Sequence, residues 1–329
     1  MNNARIISSG MAVPDRVLSN AHFDAELGVD VSTWLEESAQ IFNRRWLEPG
    51  GSTSSLALAA AGQCLERAGV APSQLDLIIL TTDTPDYWSP ATASVVQHEL
   101  GADRAGAFDV NAACAGFVSG LDMAAKYIRA DEHYQYILVI GAYAMSRHLN
   151  PADKKTVTLF ADGAGAVLLR AEANSQVGYQ SGQLISKGQY WDYMGIYGGG
   201  TVAPIGAEAP SDTAHKLVFA KKFPPELNPE MWSGMVRELC RRLEVTPEAV
   251  DHYFFTQINI NAILATLDLL NLPPERAHNV MHQYGYTGSA CIPMAFHEAW
   301  ELGKVREGDL IFFISSGGGL AFASAAFVL

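Results

Sequence analysis

Positive charge is what this chain has least of: 22 Lys and Arg stand against 35 Asp and Glu, a formal net charge of −13 over 329 residues. A surface so acidic cannot gain affinity by neutralising phosphates, which excludes nucleic acid as a partner. The cationic residues that exist bunch between 216 and 242, as Lys216, Lys221, Lys222, Arg237, Arg241 and Arg242; a solvated helix face is the expectation, with an anion-docking surface as the alternative. Long apolar runs are missing too. The longest, residues 137–145 and 320–329, fall far short of the roughly 20 residues that cross a bilayer and read as buried strands, so no membrane insertion is expected. Cysteine is sparse and scattered, with Cys64, Cys114, Cys240 and Cys291 forming no CxxC pair, and no basic segment followed by an apolar run stands at the start. Both point to free thiols in a reducing cytoplasm. No His, Cys and carboxylate grouping has ligand spacing, so no metal is assigned. No GxGxxG opens a helix and no GxxxxGK occurs, which makes Gly317-Gly318-Gly319 a site of close backbone approach rather than a phosphate loop.

What is present is a large apolar fraction, 49%, enough for an extensive core. It is organised by a repeat. Val70-x-Pro72-x-x-x-Asp76 followed by an apolar strand recurs as Val245-x-Pro247-x-x-x-Asp251, each time after a helical pattern, at residues 56–68 and 231–243. The glycine-rich strand from Asp162 to Leu169 has a late counterpart from Gly317 to Ala323. Strands alternating with helices in both copies predict an α/β layered fold of two central sheets, with halves at 1–172 and 173–329 and a seam near 170–180.

The most informative position is Cys114. An apolar run, Phe108-Asp109-Val110, leads into Asn111-Ala112-Ala113-Cys114-Ala115-Gly116-Phe117, and Phe117, Leu121, Ala124, Ala125 and Ile128 then follow helical spacing. A helix beginning at the thiol would offer it amide N–H groups and the positive end of a dipole, favouring a thiolate and holding the oxyanion of a thioester under attack. The alternative is a small buried hydrophobe, the fate of most free cysteines. At the repeat offset Ser289 is the counterpart of Cys114 in the second half.

These residues resemble the β-ketoacyl-acyl-carrier-protein synthase III branch of the thiolase superfamily, through Asp109-Val110 to Cys114-Ala115-Gly116-Phe117, through Asp162-Gly163-Ala164-Gly165-Ala166, and through Glu307-Gly308-Asp309 with Gly317-Gly318-Gly319-Leu320. The resemblance covers nearly the whole chain. It implies a thiolase-like five-layered α-β-α-β-α fold from two pseudo-duplicated halves, a homodimer, and a cysteine acylated by an acyl thioester, usually acyl-CoA. In that family a decarboxylating malonyl thioester then supplies the carbon nucleophile. Acyl-CoA is expected as substrate, with no permanently bound cofactor and acyl carrier protein as a second candidate partner.

The departures from the family pattern are as informative. Thr256 of Thr256-Gln257-Ile258-Asn259 stands where the family has a histidine, and Tyr286 of Gly285-Tyr286-Thr287-Gly288 where it has an asparagine. That pair normally holds the enolate oxygen of malonyl, and losing one such donor typically costs about 100- to 1,000-fold in rate. A hydroxyl and a phenol can both donate, so Thr256 and Tyr286 join Cys114 as candidate catalytic residues, with simple filling of vacated volume as the alternative. His282, and less so His148, His252 and His297, are candidate bases by type only. Trp34 matches the aromatic that stacks on the CoA adenine, while Ser38 and Asn261 replace arginines. Ser316 and Ser89 replace bulkier residues, the latter at a position that in relatives crosses the dimer, and together they predict a roomier acyl pocket for a longer, branched or aromatic group. Asn259 and Gly318 complete the substrate-binding set. Three functions remain open: a condensing enzyme, an acyltransferase to an oxygen, nitrogen or sulfur nucleophile without decarboxylation, and an acyl-binding or partner subunit.

Overall fold

Two mixed sheets carry the architecture of the computed structural model, which describes residues 2–204 and 213–329. The first is built from β1 (Asn2–Ala12), β2 (Leu77–Thr81), β3 (Gly106–Val110), β4 (Tyr136–Ala144) and β5 (Asp162–Ala173), in the order β1-β5-β4-β2-β3. The second is built from β6 (Gly178–Ser186), β7 (His252–Phe255), β8 (Leu310–Gly317) and β9 (Ala321–Val328), in the order β7-β8-β9-β6. All five residues of the central parallel strand β2 are buried, as expected where helices cover both faces.

The helices are α1 (Thr53–Ala68), α2 (Thr92–Leu100), α3 (Gly116–Ala130), α4 (Leu227–Leu243), α5 (Ile260–Leu269) and α6 (Cys291–Glu301). Helices α1 and α2 cover the outer face of the first sheet, α3 and α6 lie between the sheets, and α4 with α5 covers the second. This is the five-layered α-β-α-β-α arrangement expected from the sequence. Local chemistry sets the ends of α1: the Ser52 hydroxyl accepts from Ser55 N at 3.1 Å, the Ser55 hydroxyl answers to Ser52 O at 2.7 Å, and Gly69 closes the helix at φ 64°.

The repeated motif does the same work in each half. Asp76 Oδ2 accepts from Gln135 N and Tyr136 N at 2.7 and 3.0 Å, pinning the start of β4 beside β2, and Asp251 Oδ2 accepts from Leu310 N at 2.8 Å, pinning β8 beside β7. The glycines allow close approach, as the sequence suggests. A Cβ on Gly165 would lie 2.7 Å from Pro293 Cβ and 2.8 Å from Met294 N, and one on Gly141 would lie 2.3 Å from Ser289 O, so β4 and β5 admit the start of α6 only because they are bare there.

Candidate active site

Strand β3 delivers the chain to Cys114. Asp109, near its end, accepts from Thr92 N at 2.8 Å and Ala93 N at 2.7 Å, which ties the first turn of α2 to the approach to the cysteine. Ala113 then takes a left-handed conformation at φ 46°, unusual for a residue with a Cβ, and turns the next side chain out of the strand direction. Gly317 on β8 packs against the same turn: a Cβ there would lie 2.5 Å from Ala112 O and 2.7 Å from Cys114 N.

The helix does not begin at the thiol, as the sequence had suggested, but two residues later at Gly116. The amides of Ala115 and Gly116 bond to the carbonyls of Ala112 and Ala113 at 3.1 and 2.9 Å, so neither is free for the sulfur. The surroundings of the thiol also run against the thiolate that a helix start would favour. Burial, then the charge of Asp83, hold the Cys114 thiol well above its ordinary range, while a hydrogen bond with the Tyr286 phenol and one from its own amide oppose that rise only in part. Burial and the neighbouring Cys114 likewise raise the Tyr286 phenol well above its usual range.

Cys114 lines a cavity of about 440 Å³. Leu159, Met194, Phe219, Phe223, Leu227 and Ile258 give it apolar walls. Trp34, 52% exposed, stands at its edge with Ser38 and Asn261, and Asn261 Nδ2 donates to Ser38 O at 3.0 Å. Of the residues singled out from sequence, Trp34, Thr256, Asn259, Tyr286, Ser316 and Gly318 all join Cys114 on this cavity. Ser89 does not: it lies on the exposed loop after β2, apart from the cavity of its own chain.

Thr256 is placed differently from a free donor. Its hydroxyl donates to Ser316 O at 3.2 Å and accepts from Ser316 N at 3.0 Å, so both functions of the side chain continue the ladder between β7 and β8. Ser289, the counterpart of Cys114, is equally committed, donating to Thr81 O at 2.9 Å and Ala142 O at 3.0 Å. Among the described residues no histidine lines the cavity. His282 sits among Glu298, His278 and Lys304, His252 lies 3.4 Å from Asp309, and His297 Nδ1 pairs with Ser9 Oγ at 3.0 Å. The C-terminal basic cluster is mostly consumed internally, with Lys221 on Asp192, Arg241 and Arg242 on Glu238, and Arg237 on Leu269 O. Lys222 alone of that cluster reaches the cavity wall.

Sequence reasoning missed a second hollow of about 370 Å³ beside the first, where Trp34 is joined by Lys154, Lys155 and Asp30. The adjacent lysines in an acidic chain were the available signal. It also missed Asp83, whose place follows only from strand register.

A cysteine on a left-handed strand-to-helix turn, between two mixed sheets and on the wall of a largely apolar cavity, fits a condensing enzyme of thiolase-like fold. The comparisons with known proteins narrow this. The model of 3-oxoacyl-[acyl-carrier-protein] synthase III matches residues 108–188 and that of its C-terminal part matches residues 240–329. The chain belongs to the 3-oxoacyl-[acyl-carrier-protein] synthase III family. It is 37% identical to a β-ketoacyl-[acyl-carrier-protein] synthase III of a Roseiflexus species, over 98% of each chain, and 36% identical to an acetoacetyl CoA synthase of a Streptomyces species, over 98% of this chain and 97% of that one. The crystal structure of the Pseudomonas aeruginosa synthase III superposes with a TM-score of 0.90 at 30% identity, covering 99% of this chain and 98% of that one.

Proposed function

We propose that Cys114 takes an acyl group from acyl-CoA and passes it to the carbon nucleophile of a second thioester. The observation that carries this reading is the sulfur itself, reached through an apolar cavity and paired with the Tyr286 phenol. The phenol and the Cys114 amide are the two donors beside the sulfur, suited to a thioester oxygen as charge develops on it. Trp34 at the mouth offers a face for adenine, and Lys154, Lys155 and Lys222 offer cations for the CoA phosphates. Ser316, small and on the wall of the same cavity, leaves room for an acyl group longer than acetyl. With two copies of the chain paired, Ser89 would extend that room from the partner.

A second reading, transfer to an oxygen, nitrogen or sulfur acceptor, is favoured by one specific observation: the Thr256 hydroxyl is committed to Ser316, so the donor pair that serves malonyl decarboxylation is reduced to Tyr286 alone. The test is to charge the enzyme with octanoyl-CoA, add malonyl-CoA, and follow carbon dioxide and ketoacyl product. Stoichiometric release of both supports condensation. An acyl-enzyme that persists with malonyl-CoA and is discharged by amines or alcohols instead supports the second reading.

A further inference from the structure

The phenol of Tyr286 can serve Cys114 only if the segment that carries it is held in place. That segment leaves the second sheet early. Ala277 lies level with Tyr253 of β7 in a single parallel bridge. The chain then turns through the short helix Met281–Tyr284 and through Gly285, at φ 70°, to reach Tyr286. Beyond the turn it is fixed again, with Tyr286 N donating to Leu159 O at 2.8 Å and Ala161 N donating to Tyr286 O at 2.9 Å. Between those two anchors, residues 278–281 have left the ladder and their backbone groups need partners elsewhere.

Gln257 supplies them. It is fully buried, two residues past the end of β7, and uses both ends of its amide. Its Nε2 donates to His278 O at 3.0 Å, and its Oε1 accepts from Val280 N at 2.8 Å and from Met281 N at 3.2 Å. One side chain thus satisfies three backbone groups, among them an amide of the first turn of the short helix. Its neighbours do something else: Thr256, Ile258 and Asn259 line the cavity, and of residues 256–259 only Gln257 is absent from its wall. Gln257 therefore ties the back of the loop that walls the cavity on one side to the segment that brings Tyr286 to the same cavity.

We propose that Gln257 is a positioning residue for the reaction at Cys114, holding residues 278–281 so that the Tyr286 phenol stands at the sulfur. Little between the tether and the phenol can absorb a shift. The helix Met281–Tyr284 is a single turn, and Gly285 is so tightly seated that a Cβ on it would lie 3.0 Å from Arg44 Cγ and 3.1 Å from Ala161 Cβ. A displacement at Val280 and Met281 is passed on to Tyr286, and a donor misplaced by about 1 Å costs as much as 100-fold in rate. The inference rests on Tyr286 as the donor and on Cys114 as the acyl carrier.

The test is a double-mutant cycle on the full chain, read by single-turnover acylation of Cys114 with octanoyl-CoA. Gln257→Met fills the same space and removes all three bonds, and should slow acylation about tenfold while the octanoyl-CoA concentration at half-maximal rate stays unchanged. In a Tyr286→Phe background the same change should cost less than about twofold, because the donor it positions is already gone. Gln257→Glu keeps the oxygen for Val280 N and Met281 N and loses only the donor to His278 O, so it preserves the fold should the methionine variant not. It takes the same place in the cycle, with a loss of about threefold that also disappears beside Tyr286→Phe. Equal losses in the two backgrounds, or no loss from either Gln257 variant in the native one, overturn the positioning role and leave the acyl-cysteine reading intact. A Tyr286→Phe chain that acylates at the native rate overturns the donor reading beneath it, and a Cys114 that takes no octanoyl group overturns the acyl-cysteine reading itself.

Discussion

At the scale of single residues, the chemistry turns on the division of labour between Tyr286 and Thr256. The phenol faces the sulfur, whereas the threonine hydroxyl bonds to the backbone of Ser316. Tyr286→Phe is therefore expected to slow acylation of Cys114 by about 100- to 1,000-fold with little change in melting temperature, the usual cost of one oxyanion donor. Thr256→Val should do the reverse, lowering stability by about 1–3 kcal/mol through two lost backbone contacts while leaving single-turnover acylation close to native. Rapid-quench kinetics beside thermal unfolding separate the two effects; equal losses of acylation rate in both variants would contradict the assignment. That Cys114, Tyr286 and Thr256 would meet at one cavity was legible because the motifs around them sit in contiguous sequence. The state of the sulfur was not, since it depends on the burial of Cys114, on the charge of Asp83 and on amides already bonded to Ala112 and Ala113, none of which a linear pattern records.

At the scale of elements, the site exists because bare backbone lets strands and helix starts crowd together. Gly317→Ala would push a methyl group into Ala112 O and the Cys114 amide, displacing the turn that carries the nucleophile. The expected outcome is loss of acylation with the fold retained, read by activity alongside circular dichroism. Ser289→Ala tests the second half's counterpart: it removes one hydroxyl that bridges Thr81 O and Ala142 O, and should cost about 1–2 kcal/mol in denaturant unfolding without touching chemistry. The duplicated Pro and Asp motif made the two-sheet architecture readable, because Asp76 and Asp251 each tether a neighbouring strand. Helix onset was misjudged by two residues, since periodicity marks the apolar face of α3 but not the left-handed Ala113 that delays its first turn.

At the scale of the whole molecule, a net charge of −13 makes local cations at the cavity mouth stand out. Replacing both Lys154 and Lys155 by alanine should raise KM for acyl-CoA by about tenfold, or ~1.4 kcal/mol, and leave kcat unchanged, with the effect fading as salt is added. Steady-state kinetics at two ionic strengths checks it, and a fall in kcat at constant KM would contradict it. These lysines, in the neighbouring hollow, and Met194, Phe219 and Lys222, on the cavity, come from segments far from Cys114 in sequence, which is why the pocket walls were less legible than the cysteine. The account as a whole stands on one sulfur among four. Peptide mass mapping after incubation with octanoyl-CoA tests it most directly: the acyl mass should appear on the Cys114 peptide alone and vanish in Cys114→Ala. An adduct on Cys64, Cys240 or Cys291 instead, or none on any of them, would contradict the account.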